Sequence, residues 1–179
     1  MPVFVRRSEP PTPRKDYTVY RPEVREDFTE CCAYCLFPEL LAGGKENFEL
    51  DHFHPKARED EFAGDVNDFY NLYYSCHVCN NQKRAHWPTA DVLASGCRFI
   101  DLCSEDFSAH FVAQQDGEWK PLTNAADWAS ERLLLNRGHL KQIRRLLQRI
   151  AAEKELPPID WNRPTRDRVA IIFPDGFPT

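Results

Sequence analysis

The sequence predicts an α+β fold in which a small β-β-α unit precedes a mostly helical extension with a few short strands. Two strand-like segments, at 46–53 and 67–76, are followed by a short helical segment that stops before Pro88. A pair of cysteines with two-residue spacing lies before the first strand, and a second pair closes the second strand. Beyond residue 124, apolar residues recur at helical spacing.

The chain divides into three parts by its proline content and its hydrophobic pattern. Residues 1–20 hold four of the fourteen prolines and form an irregular lead-in, residues 21–90 carry the β-β-α unit, and residues 91–179 form the extension. We expect the extension to pack on the core. Local patterns predict the following further elements: a helix at 22–29, a loop or one helical turn at 55–66, a strand turn at Asp116–Gly117, and helices at 125–135 and 139–153. The β-like run "RVAIIF" at 168–173 has no predicted place.

Composition limits the possible classes of protein. A chain of 179 residues with 42% hydrophobic residues can bury a core, and its formal net charge of −5 argues against a surface that attracts nucleic acid everywhere. The sequence shows no secretory signal or membrane-spanning segment, so we expect a cytoplasmic protein without membrane contact. In a reducing compartment, an odd number of cysteines favours metal binding over disulfides.

The two cysteine pairs predict a structural zinc site. Two-residue spacing allows both thiolates of a pair to bind one ion, and two such pairs complete a tetrahedral Zn–S₄ site. The predicted ligands are Cys32, Cys35, Cys76 and Cys79. Cys31 is the spare member of the first pair, because it would give a three-residue spacing, whereas Cys97 and Cys103 are predicted core residues.

A second group of polar residues lies between and just after the cysteine pairs, where the zinc site would bring the first strand opposite the short helix. Asp51 and Asn80 offer the oxygen ligands that Mg²⁺ or Mn²⁺ prefers. His52 points to the other face of the strand and can act as a general base near neutral pH. Asn71 can brace the intervening loop, and Lys83, three residues after Asn80, can contact a phosphate oxygen. A cation site, a general base and a phosphate contact are the groups that phosphodiester hydrolysis requires.

Other polar residues give weaker predictions. His54 is interpreted equally well as a loop histidine and as a metal or phosphate contact. Arg84, Lys141 and Arg145 are candidate substrate contacts, although a stripe of basic residues on a helix is more often a solvated face.

The order of these motifs resembles the HNH endonucleases, which share the ββα-metal fold. The resemblance spans about residues 25–87 and is carried by eleven positions in the same order: Cys32, Cys35, Asp51, His52, Pro55, Asn71, Leu72, Cys76, Cys79, Asn80 and Lys83. It implies that His52 is the general base, that Asn71 is the middle structural residue, and that Asn80 binds the catalytic cation with Asp51. The chain departs from the family in one place, because the Gly-Gly that many members carry after the D-H-x-x-P motif is replaced by Gly64 alone.

Two further resemblances concern the substrate and partners. The D-H-x-H arrangement is similar to phage-type Holliday-junction resolvases, which implies a place for His54 near the scissile phosphate. The stretches "FIDLCSEDFSAHF", "GEWKPLT" and "LLLNRGHL" resemble the C-terminal part of small bacterial anti-phage HNH proteins. That resemblance implies an ATPase-like partner protein that supplies DNA affinity. For the nuclease itself, we expect duplex DNA as the substrate. The sequence leaves open whether the protein forms a homo-oligomer.

Two other classes compete with the nuclease. A zinc-ribbon-like module that binds nucleic acid or protein would keep the four cysteines and make Asp51 and His52 incidental. A zinc deaminase would need an H-x-E motif, but the corresponding stretch here is "HFH" and lacks the glutamate, so this class is rejected.

Overall fold

The computed structural model describes residues 2–61 and 64–163 and has the predicted α+β class. Between residues 2 and 163, apart from 62 and 63, each helix is too short or too polar to span a bilayer. The predicted run at 168–173 lies outside the described residues. The helices and strands are α1 Arg21–Asp27, β1 Phe48–His52, β2 Leu72–Cys76, α2 His77–Lys83, α3 Ala90–Ala94, α4 Phe107–His110, β3 Phe111–Ala113, β4 Trp119–Pro121, α5 Asn124–Leu133 and α6 Gly138–Glu153.

The predicted β-β-α unit is confirmed. Strands β1 and β2 pair antiparallel, with Phe48 opposite Cys76 and His52 opposite Leu72. Helix α2 begins at the residue that follows β2, so the second cysteine pair spans the junction between a strand and a helix. The predicted loop at 55–66 contains a short 3-10 segment at Lys56–Glu61.

Helix α1 ends where two consecutive residues adopt left-handed backbone conformations. Pro22 lies in its first turn, as predicted, and the helix stops at Asp27. Thr29 and Glu30 have φ angles of 49° and 60°, which a continuing helix does not allow. The chain therefore turns sharply just before Cys32.

In the extension, β3 and β4 form a hairpin whose turn contains Gly117 at φ +81°. The apolar spacing predicts that helix α6 buries Leu140, Ile143, Leu147 and Ile150. The structure buries Leu140 and Leu147 together with Arg144 and Ala151, while Ile143 and Ile150 are only partly buried. The guanidinium of Arg144 lies 3.4 Å from the ring centroid of Trp119, and this aromatic face accepts the cation inside the core.

The lead-in contributes to the core even though residues 2–16 contain no helix or strand. Val3 and Phe4 are buried, and their backbone N–H groups donate to the carbonyl of Leu102 at 2.9 and 3.1 Å. One hydrophobic cluster includes residues of the lead-in, the β-β-α unit and the extension. The division of the chain at residues 20 and 90 stays a prediction.

Candidate metal centre and active site

The four predicted zinc ligands form one cluster. The Sγ atoms of Cys32, Cys35, Cys76 and Cys79 all lie within 4.8 Å of one another, and the four side chains are buried and free of disulfides. The Sγ atoms of Cys35 and Cys76 are 3.9 Å apart. Tetrahedral geometry with Zn–S bonds of 2.3 Å requires about 3.8 Å between sulfurs. The cluster therefore suits a metal ion of the size and preference of zinc.

Local backbone geometry explains why Cys32 and not Cys31 belongs to the cluster. The N–H of Cys32 donates to the carbonyl of Phe37 at 2.9 Å, and that of Ala33 donates to Tyr74 in β2 at 2.8 Å. These bonds hold the first pair against the strand that ends in the second pair. Cys31 instead forms an isolated β-bridge with Pro38 and lies outside the cluster.

Asp51 is buried and bound by two side chains. Its carboxylate accepts a hydrogen bond from the hydroxyl of Tyr34 and lies 3.0 Å from the ammonium of Lys83. Burial raises the pKa of Asp51, and the positive charge of Lys83 opposes that change. Lys83 is fully buried and also donates to the backbone carbonyl of His52 at 2.6 Å. This placement makes Lys83 the counter-ion of Asp51 and keeps its ammonium away from a phosphate outside.

Asn80 contacts a carboxylate that the sequence reasoning missed. Its side-chain amide donates to Glu49, whose other oxygen lies 2.9 Å from Nδ1 of His77. Glu49 and Asp51 are two residues apart on β1 and so share one face of the strand. Both acids contact α2, and we call this line of contacts the strand–helix seam: Glu49, Asp51, Asn80 and Lys83. The period of two residues along β1 was the available signal for Glu49.

His52 lies on the opposite side of β1 from the strand–helix seam. Its ring makes an edge contact with Tyr17, with 4.7 Å between ring centroids, and its Nε2 lies 3.2 Å from Oδ1 of Asn67. Burial lowers the pKa of His52 to about 4, and the nearby charge of Lys56 acts in the same direction. The imidazole is therefore neutral at pH 7. With Nε2 donating to Asn67, the basic nitrogen is Nδ1, and Asn67 is a second residue that the sequence reasoning missed.

Asn71 closes the loop that follows β1. Its Oδ1 accepts from the backbone N–H of His54 at 2.8 Å, and its Nδ2 donates to the carbonyls of His54 and Val66 at 3.1 and 2.7 Å. Asn71 is itself buried. A single amide thus fixes both ends of the loop that begins just after His52.

The match to known proteins falls on these same elements. Residues 32–86 match the family model of the HNH endonucleases. The matched residues include both cysteine pairs, β1, β2 and α2, which agrees with the resemblance read from the sequence. No curated protein matches the chain. We call residues 32–86 the HNH segment.

The remaining predicted site residues take different positions relative to the HNH segment. His54 is buried and its ring packs against Trp87, with 4.6 Å between ring centroids. Arg84 is exposed directly after α2, and its Nε donates to the carbonyl of Asn81. Lys141 lies outside the segment and pairs with Asp116 and Glu118 at 2.8 and 2.9 Å. Arg145, one turn further along α6, is exposed beside the same turn at Gly117.

Proposed function

We propose that the HNH segment is a metal-dependent endonuclease that hydrolyses phosphodiester bonds of DNA. The observation that carries the proposal is the arrangement around β1. Carboxylate and amide oxygens lie along the strand–helix seam on one side of the strand, and a neutral imidazole lies on the other side at its end. An HNH family match to the same residues supports a nuclease function in general.

His52 is the proposed general base. An imidazole that is neutral at pH 7 can accept a proton from water, and the contact of Nε2 with Asn67 directs Nδ1 to that role. Tyr17 on one side limits the orientations of the ring. Asn71 supports the same end of the strand through the loop bonds described above. The residue that would transfer the proton is thus held by neighbours that do not ionise near neutral pH.

Asp51 and Asn80 are the proposed ligands of a divalent cation, Mg²⁺ or Mn²⁺. Such an ion, when bound, neutralises the negative charge that develops on the phosphate. Carboxylate and amide oxygens suit these hard cations, which keep several water ligands. Glu49 adds a second carboxylate to the seam, with 41% of its side chain exposed. Tyr34 and Lys83 hold the carboxylate of Asp51 in place.

The charge of the protein bears on how it would bind duplex DNA. With a net charge of −5, the chain needs local cations or a partner to bind a polyanion. Arg84 is exposed directly after α2 and is a candidate contact to a phosphate, whereas Lys141 is already paired with two acids. An ATPase-like partner in an anti-phage system would supply the missing affinity. Co-expression with the neighbouring gene product and size-exclusion chromatography tests this, and separate elution of the two proteins would count against it.

The decisive experiment is a plasmid-nicking assay with the purified protein in Mg²⁺ and in Mn²⁺. We expect His52→Ala to reduce cleavage by a factor of about 10² to 10⁴ while zinc content and thermal stability are kept. His86→Ala is the matched control, because His86 is an exposed histidine within the same segment. Equal cleavage by the His52→Ala and unaltered proteins would reject the proposed base.

A non-catalytic, zinc-ribbon-like binding module is the second candidate. The observation in its favour is that Asp51 is already bound by Tyr34 and Lys83, so its burial requires no cation. This candidate predicts nucleic-acid or protein binding that is unchanged by His52→Ala, with no cleavage in either form. Binding measured by fluorescence anisotropy beside the nicking assay separates the two functions.

A further inference from the structure

A guanidinium from the extension lies against the cysteine cluster. Nη1 of Arg137 is 3.7 Å from Sγ of Cys79, and Nη2 is 3.7 Å from the same sulfur. Nη2 also lies 3.9 Å from the sulfurs of Cys35 and Cys76. One side chain therefore approaches three of the four predicted zinc ligands at the distances of N–H···S hydrogen bonds.

The end of α5 holds Arg137 in this position. Leu134 has a left-handed backbone with φ 50°, which ends α5 and turns the chain. Nη1 of Arg137 then donates to the carbonyls of Leu133 and Leu134 at 3.1 and 3.2 Å. Carbonyls at a helix C-terminus attract a cation, so they fix the guanidinium with one edge toward the helix and another toward the sulfurs.

The charge of a tetrathiolate site explains the use of an arginine. A zinc ion bound by four thiolates carries a net charge of about −2, which is costly to bury. Arginine stays protonated and offers five N–H donors in a fixed plane. We propose that Arg137 is a positioning residue of the metal centre, which donates to the thiolates and offsets part of their charge.

By this assignment, two separate parts of the chain contribute residues to the metal centre. The family match covers residues 32–86, so Arg137 lies outside the segment that supplies the four sulfurs. The turn between α5 and α6 would complete the surroundings of an ion held by the four sulfurs. Zinc retention by the HNH segment is therefore predicted to depend on the extension, whether or not the protein cleaves DNA.

The test compares zinc release from full-length, zinc-loaded variants. With a chromophoric chelator in excess, Arg137→Met is expected to release zinc about 10- to 100-fold faster than the unaltered protein. Arg137→Lys, which keeps the charge but loses the planar donors, should fall between them. Arg149→Met is the matched control, because Arg149 has 78% of its side chain exposed on α6. It should release zinc at the unaltered rate.

Cobalt substitution separates contact with the sulfurs from a general loss of stability. Fewer hydrogen bonds to the thiolates should move the sulfur-to-cobalt charge-transfer band of Arg137→Met to longer wavelength. Leu140→Ala removes buried packing at the start of α6, so it should lower the melting temperature and leave the band unchanged. If Arg137→Met does not fold, Arg137→Lys is compared with Leu140→Ala in the same way. Three results would overturn the assignment. They are an unaltered release rate and absorption band in the Arg137 variants, a band shift in Leu140→Ala, and a folded protein that binds no zinc.

Discussion

The ammonium of Lys83 lies 3.0 Å from the carboxylate of Asp51, and the two side chains are 0% and 7% exposed. Burial raises the pKa of Asp51 and lowers the pKa of Lys83, because it disfavours the charged form of each group. Their mutual attraction opposes both shifts, and Tyr34 adds a hydrogen bond to the carboxylate. The pair connects the end of α2 to β1 next to the proposed base.

Removing the positive charge of Lys83 should destabilise the fold. Lys83→Met leaves the carboxylate of Asp51 buried without its counter-ion, so we expect the free energy of unfolding to fall by about 3–5 kcal/mol. Urea denaturation followed by tryptophan fluorescence measures the change. Lys120→Met, at an exposed lysine, should cost less than about 0.5 kcal/mol. A double variant, Asp51→Asn with Lys83→Met, should recover part of the loss, and an equal or greater loss would contradict this account.

The pH dependence of cleavage should reflect the buried imidazole of His52. Because its pKa is lowered to about 4, the base stays neutral through pH 5–6, where an ordinary histidine with a pKa near 6.5 becomes protonated. The acidic limb of the rate profile is therefore expected near pH 4. Asn67→Asp places a carboxylate beside the ring, which should raise the pKa of His52 and move the limb to higher pH. NMR titration of the ring, assigned with His52→Gln, checks this independently of activity.

The same group links stability to pH. Between about pH 4 and 6.5, the unfolded chain binds a proton at His52 that the folded protein does not bind. His52 therefore makes the fold less stable as the pH falls through this window, and His52→Gln should reduce that dependence. An unaltered pH dependence in the variant would show that the ring of His52 has the same pKa in the folded and the unfolded chain.

Adjacent cysteines should respond differently to substitution. Cys32→Ser removes one of the four clustered sulfurs, so we expect loss of zinc or much faster release to a chelator. Cys31→Ser changes a buried residue outside the cluster and should retain zinc. Elemental analysis after dialysis gives the zinc content of each variant. If the Cys31 variant loses zinc and the Cys32 variant retains it, Cys31 and not Cys32 is the fourth ligand.

The amide of Asn71 should be a strong determinant of local stability. Asn71→Ala removes three hydrogen bonds to buried backbone groups of the loop after β1, at a cost of about 3 kcal/mol. Asn81→Ala is the control, since Asn81 is exposed on α2. Hydrogen exchange should show faster exchange of the His54 amide in the Asn71 variant only. Unchanged protection there would mean that other contacts hold the loop.

The β-β-α unit and the cysteine cluster were predictable because their signals are local. Two-residue spacing of cysteines and the alternation of residues along β1 depend on a few neighbours in the chain. The choice of Cys32 over Cys31 followed from the same spacing. The assignments of His52, Asp51 and Asn80 to catalysis stay predictions.

Features that depend on distant partners were not predictable. Arg144 belongs to the buried side of α6 because Trp119 offers its ring face, and apolar periodicity alone favoured Ile143 and Ile150. Likewise, the sequence predicts Lys83 as a phosphate contact, because nothing local shows that Asp51 accepts its ammonium inside the core. In both cases a long cationic side chain is buried by a partner many residues away.

Arg6, in the irregular segment before α1, packs against the aromatic residues beside β2. The guanidinium of Arg6 lies 5.0 Å from the ring centroid of Phe28 and 4.8 Å from that of Phe69, and it donates to the carbonyl of Leu72. A chain that starts at Ser8 would lose Arg6 and leave these aromatic faces open to water, while it keeps Tyr17 beside His52. Such a product is expected to aggregate on expression, so proteolytic loss of the residues up to Arg7 during purification would destabilise the fold without removing a residue of the proposed site.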